Sequence, residues 1–164
     1  MDRRDSPNSA PLPGSDRELV FERVFDAPRE LVFKAWSDPK HLAEWWGPNG
    51  FSTTTRRFEL KPGGVWRFVM HGPDGRDYEN RIVYEEVVRP ERLVYRHSGG
   101  EDVEPVQFTV TVIFAEEADE KTRLTMRMVF PSRDERDRVA ETYGAIEGAH
   151  QTLERLAVYL RRMG

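Results

Sequence analysis

The sequence predicts one α+β domain, in which a curved antiparallel sheet of six or seven strands and a long C-terminal helix enclose a cavity. Two patterns indicate this fold class. Residues 51–130 alternate between apolar and polar side chains, and residues 133–162 repeat apolar side chains at helical spacing. A sheet with one apolar face needs a cover, and the last helix is the only element long enough to lie across it.

The first elements are a strand and two short helices. Residues Glu18–Phe25 alternate as a strand. Asp26 is a candidate N-cap for the first helix, and Asp38 followed by Pro39 predicts the start of the second. The Gly-Pro pair at positions 47–48 ends that helix, since neither residue continues a helix cheaply.

The central region predicts a meander whose strands share one apolar face. Turn sequences such as Gly72-Pro73-Asp74-Gly75 separate the strands. Successive side chains of a strand point to opposite sides, so alternate apolar residues mark the inward face. That face is predicted to hold Trp66, Phe68, Met70, Tyr78, Ile82, Tyr84, Phe108, Val110, Met126 and Met128.

Residues 133–162 predict the closing helix. Its inward stripe is predicted to run through Val139, Tyr143, Ile146, His150, Leu153, Ala157 and Leu160. Two glycines, Gly144 and Gly148, each cost about 1 kcal/mol relative to alanine in a helix. They therefore indicate a kink or close packing at this point.

Length and composition limit the classes of function. The chain has 164 residues, which we divide into a disordered tail, residues 1–16, and one folded domain, residues 17–164. It has no cysteine, which excludes disulfides and thiolate chemistry, and its net charge of −4 argues against a nucleic-acid partner. No apolar run is long enough for a membrane span, and the tail lacks the apolar block of a secretory signal, so we expect a cytoplasmic protein.

Three stretches, taken in order, make the chain resemble a known family. They are RVFDAPRELVF at 23–33, the segment 36–48 with its Trp45-Trp46-Gly47-Pro48, and the turns within 62–68, 72–75 and 90–93. Together they resemble the family homologous to the C-terminal domain of the activator of heat-shock protein 90 ATPase. This family belongs to the START-like, SRPBCC superfamily, which includes polyketide cyclases and lipid-transfer proteins. The resemblance spans nearly all of residues 19–160 and implies the helix-grip fold.

One position departs from the family pattern. The final helix of such proteins commonly reads Gly-Trp before its leucines, whereas this chain reads Gly148-Ala149. Loss of an inward indole should enlarge the pocket or admit a neighbour such as Tyr143.

The candidate ligand-binding residues are those predicted to face the cavity. His150 would be either a base or donor to a ligand, or a neutral core histidine. The amide of Asn80 needs a partner if it is buried, and a ligand, a water or Tyr95 would serve. The Trp45-Trp46 pair would either pack the short helices onto the sheet or line the mouth. The full set is Trp46, Phe68, Met70, Tyr78, Asn80, Tyr95, Phe108, Met126, Met128, Tyr143, Ile146 and His150.

No metal site, cofactor site or catalytic residue is predicted. The four histidines include no close-spaced ligand pair, and zinc needs three or four convergent ligands. The sequence has no Gly-x-Ser-x-Gly nucleophile motif. Its Pro62-Gly63-Gly64 turn joins two predicted strands, so it does not form a phosphate-binding loop at a helix start.

Three functions stay open at this point. The first is a carrier or sensor that binds a small apolar or aromatic molecule. The second is a polyketide-cyclase-like enzyme, with Tyr78, Asn80 and His150 orienting the substrate. The third is a cochaperone that stimulates a heat-shock ATPase, which the family resemblance implies. A chaperone or a second copy of the chain stays open as a protein partner. The binding function is preferred, because a cyclase needs more convergent polar groups than the inward face offers.

Overall fold

The computed structural model describes residues 15–99 and 107–163. After a short 3₁₀ turn, Ser15–Arg17, the chain forms a seven-stranded sheet and four helices. In chain order these are β1 (Glu18–Phe25), α1 (Arg29–Trp36), α2 (Pro39–Trp45), β2 (Ser52–Phe58), β3 (Val65–His71), β4 (Asp77–Val88), β5 (Arg92–Gly99), β6 (Gln107–Ala118), β7 (Lys121–Val129), α3 (Arg133–Tyr143) and α4 (Ala145–Met163).

The sheet is antiparallel, with the strand order β1-β7-β6-β5-β4-β3-β2. Strands β2 to β7 form the predicted meander, and β1 returns to pair with β7, where Phe21 lies opposite Met126. The pairing of β2 with β3 shifts register between Thr55 and Arg57, and that of β4 with β5 shifts between Tyr84 and Glu86. Such bulges increase the local twist and help a sheet to curve.

One face of the sheet is apolar and the other is charged. Helix α4 lies over the apolar face and buries Ala149, Leu153, Leu156, Ala157 and Leu160. The opposite face carries ion pairs between neighbouring strands, such as Arg123 with Glu22 at 2.9 Å and with Glu117 at 2.8 Å. This division confirms the predicted α+β, helix-grip architecture.

The first short helix begins later than predicted. Its N-cap is Pro28, which provides no side-chain hydrogen bond, so the prediction that Asp26 caps it is wrong. Asp26 lies too far before the first helical residue to reach its amides, and its exposed carboxylate lies 3.3 Å from the Lys121 ammonium. The second prediction is confirmed, since the Asp38 side chain accepts a hydrogen bond of 2.8 Å from the Lys40 amide.

The closing helix is two helices instead of one. Gly144 ends α3 in the left-handed region (φ 60°, ψ 42°), and its amide donates to the Ala140 carbonyl. Glycine reaches this conformation without a Cβ penalty, which is why the chain stops and restarts here. The predicted continuous helix over 133–162 is therefore wrong, although the kink expected near Gly144 lies at the break.

The predicted tail lies almost wholly outside the described residues, which begin at Ser15. Ser15 and Asp16, assigned to the tail, form the 3₁₀ turn with Arg17, and the Arg17 carbonyl accepts a hydrogen bond from the Phe130 amide at 2.8 Å. Within residues 15–99 and 107–163, none of the helices combines the length and apolar character that a membrane crossing requires.

Candidate functional site

A cavity of about 440 Å³ separates the apolar face of the sheet from its helical cover. This volume lies within the range of about 300–1,000 Å³ that is typical of small-molecule sites. The sheet contributes Met70, Tyr78, Tyr95, Phe108, Val110, Met126 and Met128 to the wall. The helices and their connections contribute Trp36, Trp45, Trp46, Pro48, Val139, Ala149 and Leu153.

Small residues on α4 form the part of the wall nearest the short helices. Gly148 and Ala149 both line the cavity, and Ala149 is 7% exposed. A Cβ at Gly148 would lie 3.8 Å from the Cβ of Pro48, which is an ordinary van der Waals contact. The position of Ala149 in the wall is the one the sequence indicated, and the enlargement of the cavity at this position stays a prediction.

Side chains of α4 fix the segment that follows α2. The Arg155 guanidinium donates to the carbonyls of Gly47 at 2.8 Å and Pro48 at 3.0 Å. The Gln151 side chain accepts from the Asn49 amide at 3.0 Å. Gly47 adopts φ 106°, and a Cβ there would lie 3.0 Å from Met70 Cε, so this close approach requires glycine. The segment is thereby held against the cavity.

The main polar group of the cavity wall is His97, on β5. Its Nε2 lies 2.9 Å from Asn80 Oδ1, and Asn80 Nδ2 donates to the Tyr78 carbonyl at 3.0 Å. The imidazole lies beside the Phe108 ring, with 5.1 Å between centroids. Burial lowers the pKa of His97 from 6.5 to about 4, because the charged imidazolium would lose its hydration. His97 is therefore neutral at pH 7.

Tyr95 adds a hydroxyl to the same wall. It is 2% exposed, and burial raises the pKa of its phenol above the usual value of 10. Its hydroxyl forms no hydrogen bond within residues 15–99 and 107–163. A ligand or a water in the cavity would satisfy this hydroxyl.

A cluster of tryptophans lines the cavity where the short helices meet the sheet. Trp36 packs edge-to-face against Trp45 and Trp46, with centroids 5.0 and 5.7 Å away. The Trp45 indole donates to the Ala35 carbonyl at 3.1 Å. Both Trp45 and Trp46 are buried, at 0% and 9% exposure, so the pair packs the short helices onto the sheet and also lines the cavity.

Eight of the predicted site residues lie in the cavity wall: Trp46, Met70, Tyr78, Asn80, Tyr95, Phe108, Met126 and Met128. Phe68 is fully buried and stacks on Trp66, with 4.0 Å between centroids, so it supports the wall from behind. Tyr143 is the last residue of α3.

Two helical residues lie outside the cavity, contrary to the prediction. Ile146 is 47% exposed, in the first turn of α4. His150 is exposed and packs edge-on against Phe21, with 5.4 Å between ring centroids. Its position is about 100° around the helix from Ala149, at the margin of the buried stripe. Neither side chain reaches the cavity wall formed by Ala149 and Leu153.

Sequence reasoning left His97 out of the site set. It has the same parity as Leu93 and Tyr95 along the strand, which is the signal in the sequence that could have identified it. The structure continues β5 to Gly99, which keeps His97 within the sheet and opposite Phe108. Phe51, Thr142 and Thr152 also line the cavity, and no pattern in the sequence identified them.

A second histidine lies in a polar chain on the other face of the sheet. His71 Nε2 is 2.8 Å from the Thr54 hydroxyl, and His71 Nδ1 is 2.8 Å from an Asp77 carboxylate oxygen. The order hydroxyl, imidazole, carboxylate resembles a hydrolytic triad. All three side chains are at a solvated surface, with Asp77 60% exposed, so we assign them a structural role between strands. Among the described residues no group of three potential metal ligands converges.

A sheet that grips a helix across an internal apolar cavity defines the helix-grip class of α+β proteins. The family described as Activator of Hsp90 ATPase homolog 1-like protein matches residues 26–161, and the chain belongs to this family, within the SRPBCC superfamily. No curated protein matches the chain significantly.

Solved structures share the fold over nearly the whole chain. Protein Ms6760 from Mycobacterium smegmatis is 28% identical, with a TM-score of 0.82, and the match covers 92% of this chain and 95% of that one. A protein from Rhodobacter sphaeroides is also 28% identical, with a TM-score of 0.79 and coverage of 93% and 97%. A protein from Arthrobacter aurescens, 24% identical, gives a TM-score of 0.84 and coverage of 90% and 88%, which supports the fold alone.

Proposed function

We propose that this protein binds a small, mainly apolar molecule in the cavity between the sheet and α4, as a carrier or a sensor. The observation that carries this proposal is the cavity itself, about 440 Å³, whose wall includes eight aromatic and three methionine side chains. Methionine and aromatic walls adapt to apolar ligands of different shapes. Burial of ligand surface there contributes about 25 cal/mol per Å² of apolar area.

Binding is favoured over cyclase-like catalysis by the state of His97. A general base works best when its pKa is near the working pH. Burial holds the pKa of His97 at about 4, so its imidazole is a weak base at pH 7. His150, the base considered from the sequence, is exposed and outside the cavity.

The test uses a neutral solvatochromic dye, Nile red, and two tryptophan variants of α4. Fluorescence titration should show binding to the unaltered protein at micromolar concentration. Ala149→Trp should weaken binding at least tenfold and raise the melting temperature, because its indole fills cavity space. Val158→Trp is the matched control: it adds the same side chain to the same helix at a position that is 43% exposed.

The result that contradicts the proposal is equal dye binding by the unaltered protein and Ala149→Trp, or no binding by either. Native mass spectrometry of freshly purified protein is an independent measurement. A bound small molecule that is present in the unaltered protein and Val158→Trp, but lost in Ala149→Trp, would identify the natural ligand.

A further inference from the structure

The hydrogen bonds around Asn80 determine which ring nitrogen of His97 carries the proton. Asn80 Nδ2 donates to the Tyr78 carbonyl, so Asn80 Oδ1 faces His97 Nε2. An amide oxygen can only accept a hydrogen bond, and Nε2 must therefore be the protonated nitrogen. In the neutral imidazole, Nδ1 then has a free lone pair and acts as an acceptor.

The acceptor on His97 has no partner among the described residues. Within residues 15–99 and 107–163, His97 forms only the hydrogen bond to Asn80. Tyr95, two residues earlier on the same face of β5, lines the same cavity, and its hydroxyl has no hydrogen-bond partner among the described residues. His97 and Tyr95 thus place an acceptor and a hydroxyl on two inward positions of β5, whose backbones are about 7 Å apart along the strand. Other polar groups of the wall include the Tyr78 hydroxyl and the Trp36 indole N–H.

The described part of the cavity wall contains no lysine or arginine. Arg155 lies at the adjoining segment, where its guanidinium donates hydrogen bonds to the Gly47 and Pro48 carbonyls. Glu79 is the charged residue in the described wall, and its carboxylate lies 3.5 Å from the Arg56 guanidinium. An anionic ligand would therefore lose its hydration in the cavity without gaining a cationic partner.

We propose that the ligand is an uncharged molecule with an apolar, ring-containing body and a hydroxyl group that donates a hydrogen bond to His97 Nδ1. The phenol of Tyr95 is the second polar contact for a ligand oxygen. This inference rests on the proposed function and specifies the ligand class: phenols and cyclic alcohols are accepted, and carboxylates of the same shape are rejected. Removing an unpaired carboxylate from water costs several kcal/mol, whereas a hydroxyl keeps one hydrogen bond on entering the cavity.

Three probes of the same shape test the ligand class on the unaltered protein at pH 7: naphthalene, 2-naphthol and 2-naphthoate. Their dissociation constants are measured by displacement of Nile red. We expect 2-naphthol to bind about 3- to 10-fold more tightly than naphthalene, as one net hydrogen bond of about 0.5–1.5 kcal/mol implies. We expect 2-naphthoate to bind at least 10-fold more weakly than 2-naphthol.

Variants then test whether His97 causes the preference for 2-naphthol over naphthalene. In His97→Phe, 2-naphthol and naphthalene should bind with equal affinity, because the acceptor is gone and an apolar ring remains. Tyr95→Phe should reduce 2-naphthol binding and leave naphthalene binding unchanged. His71→Phe is the control, since His71 lies on the outer face of the sheet and its replacement should leave all three affinities unchanged.

The outcomes separate the inference from the proposed function. If 2-naphthoate binds as tightly as 2-naphthol, or if 2-naphthol has no advantage over naphthalene, the inference is overturned while the cavity remains a binding site. If Nile red and all three probes fail to bind, the proposed function fails and the inference fails with it. The probe series needs no substitution, so it decides the ligand class independently of how His97→Phe folds.

Discussion

The burial of His97 makes the stability of the protein depend on pH. An unfolded histidine has a pKa near 6.5, whereas burial lowers the pKa of folded His97 to about 4. Between these values the unfolded chain binds more protons, so stability falls as the pH is lowered from 6.5 to 4. We expect protonation of this residue to lower the free energy of unfolding by about 2 kcal/mol between pH 7 and pH 4.5. This value allows for partial hydration of the imidazole by water in the cavity.

The measurement is urea unfolding of the unaltered protein and His97→Phe between pH 7 and pH 4.5. Carboxylates titrate in both proteins, so the difference between the two curves reports on the histidine. The unfolding free energy of the unaltered protein minus that of His97→Phe should decrease as the pH falls, because only the unaltered protein loses the histidine contribution. Parallel curves over this range would show that His97 is solvated in the folded protein.

Two leucines of α4 should respond differently to truncation, because one faces the cavity. Leu153 is 3% exposed and lines the cavity, whereas Leu156 is fully buried in the core away from it. We expect Leu153→Ala to cost about 2–3 kcal/mol and Leu156→Ala about 3–5 kcal/mol, because packing contacts around Leu156 are complete. Chemical denaturation measures both values, and a smaller loss for Leu156→Ala than for Leu153→Ala would contradict this assignment.

Strand residues of the site were predictable because their alternation is rigid. Tyr78 and Asn80 on β4, and Met126 and Met128 on β7, follow the two-residue period of a pleated strand, which local geometry fixes. Helical residues were less predictable. A buried stripe on a helix is broad, and the sequence does not show where the margin of that stripe lies. Ile146 and His150 were misplaced for this reason.

At the scale of elements, the two glycines near the start of α4 have opposite roles. Gly144 needs its positive φ, so Gly144→Ala should destabilise the protein by about 1 kcal/mol although the space beside it is open. Gly148 lies inside α4, where a Cβ would make ordinary contacts with Pro48. Gly148→Ala should therefore stabilise the protein by up to about 1 kcal/mol.

Thermal unfolding of the two variants, compared with the unaltered protein, gives the sign of each effect. A stabilising Gly144→Ala would mean that α3 and α4 join into one helix in solution. The break could not be located from sequence alone, because the apolar period of residues 133–162 continues through it and each glycine offered an equally good position.

At the scale of the whole molecule, the described part of the chain begins at the 3₁₀ turn. The first 14 residues contain few apolar side chains to bury, and we expect their deletion to change the melting temperature by less than about 2 °C. Deletion of residues 1–17 should lower it further, because the Phe130 amide then loses the Arg17 carbonyl as its acceptor. Differential scanning calorimetry measures the melting temperatures of the two truncated proteins. Equal melting temperatures would show that the turn adds no stability.

The return of β1 to the far edge of the sheet has a consequence for how the chain folds. Strands β2 to β7 pair with their sequence neighbours, so each of those hairpins closes a short loop. The β1–β7 ladder instead joins residues such as Glu22 and Arg123, which are 101 positions apart. Loop closure entropy grows with the length closed, and contacts between distant residues slow folding. Assembly of the meander before β1 docks is therefore the faster route, and until that step one edge of the nascent sheet remains open to other chains.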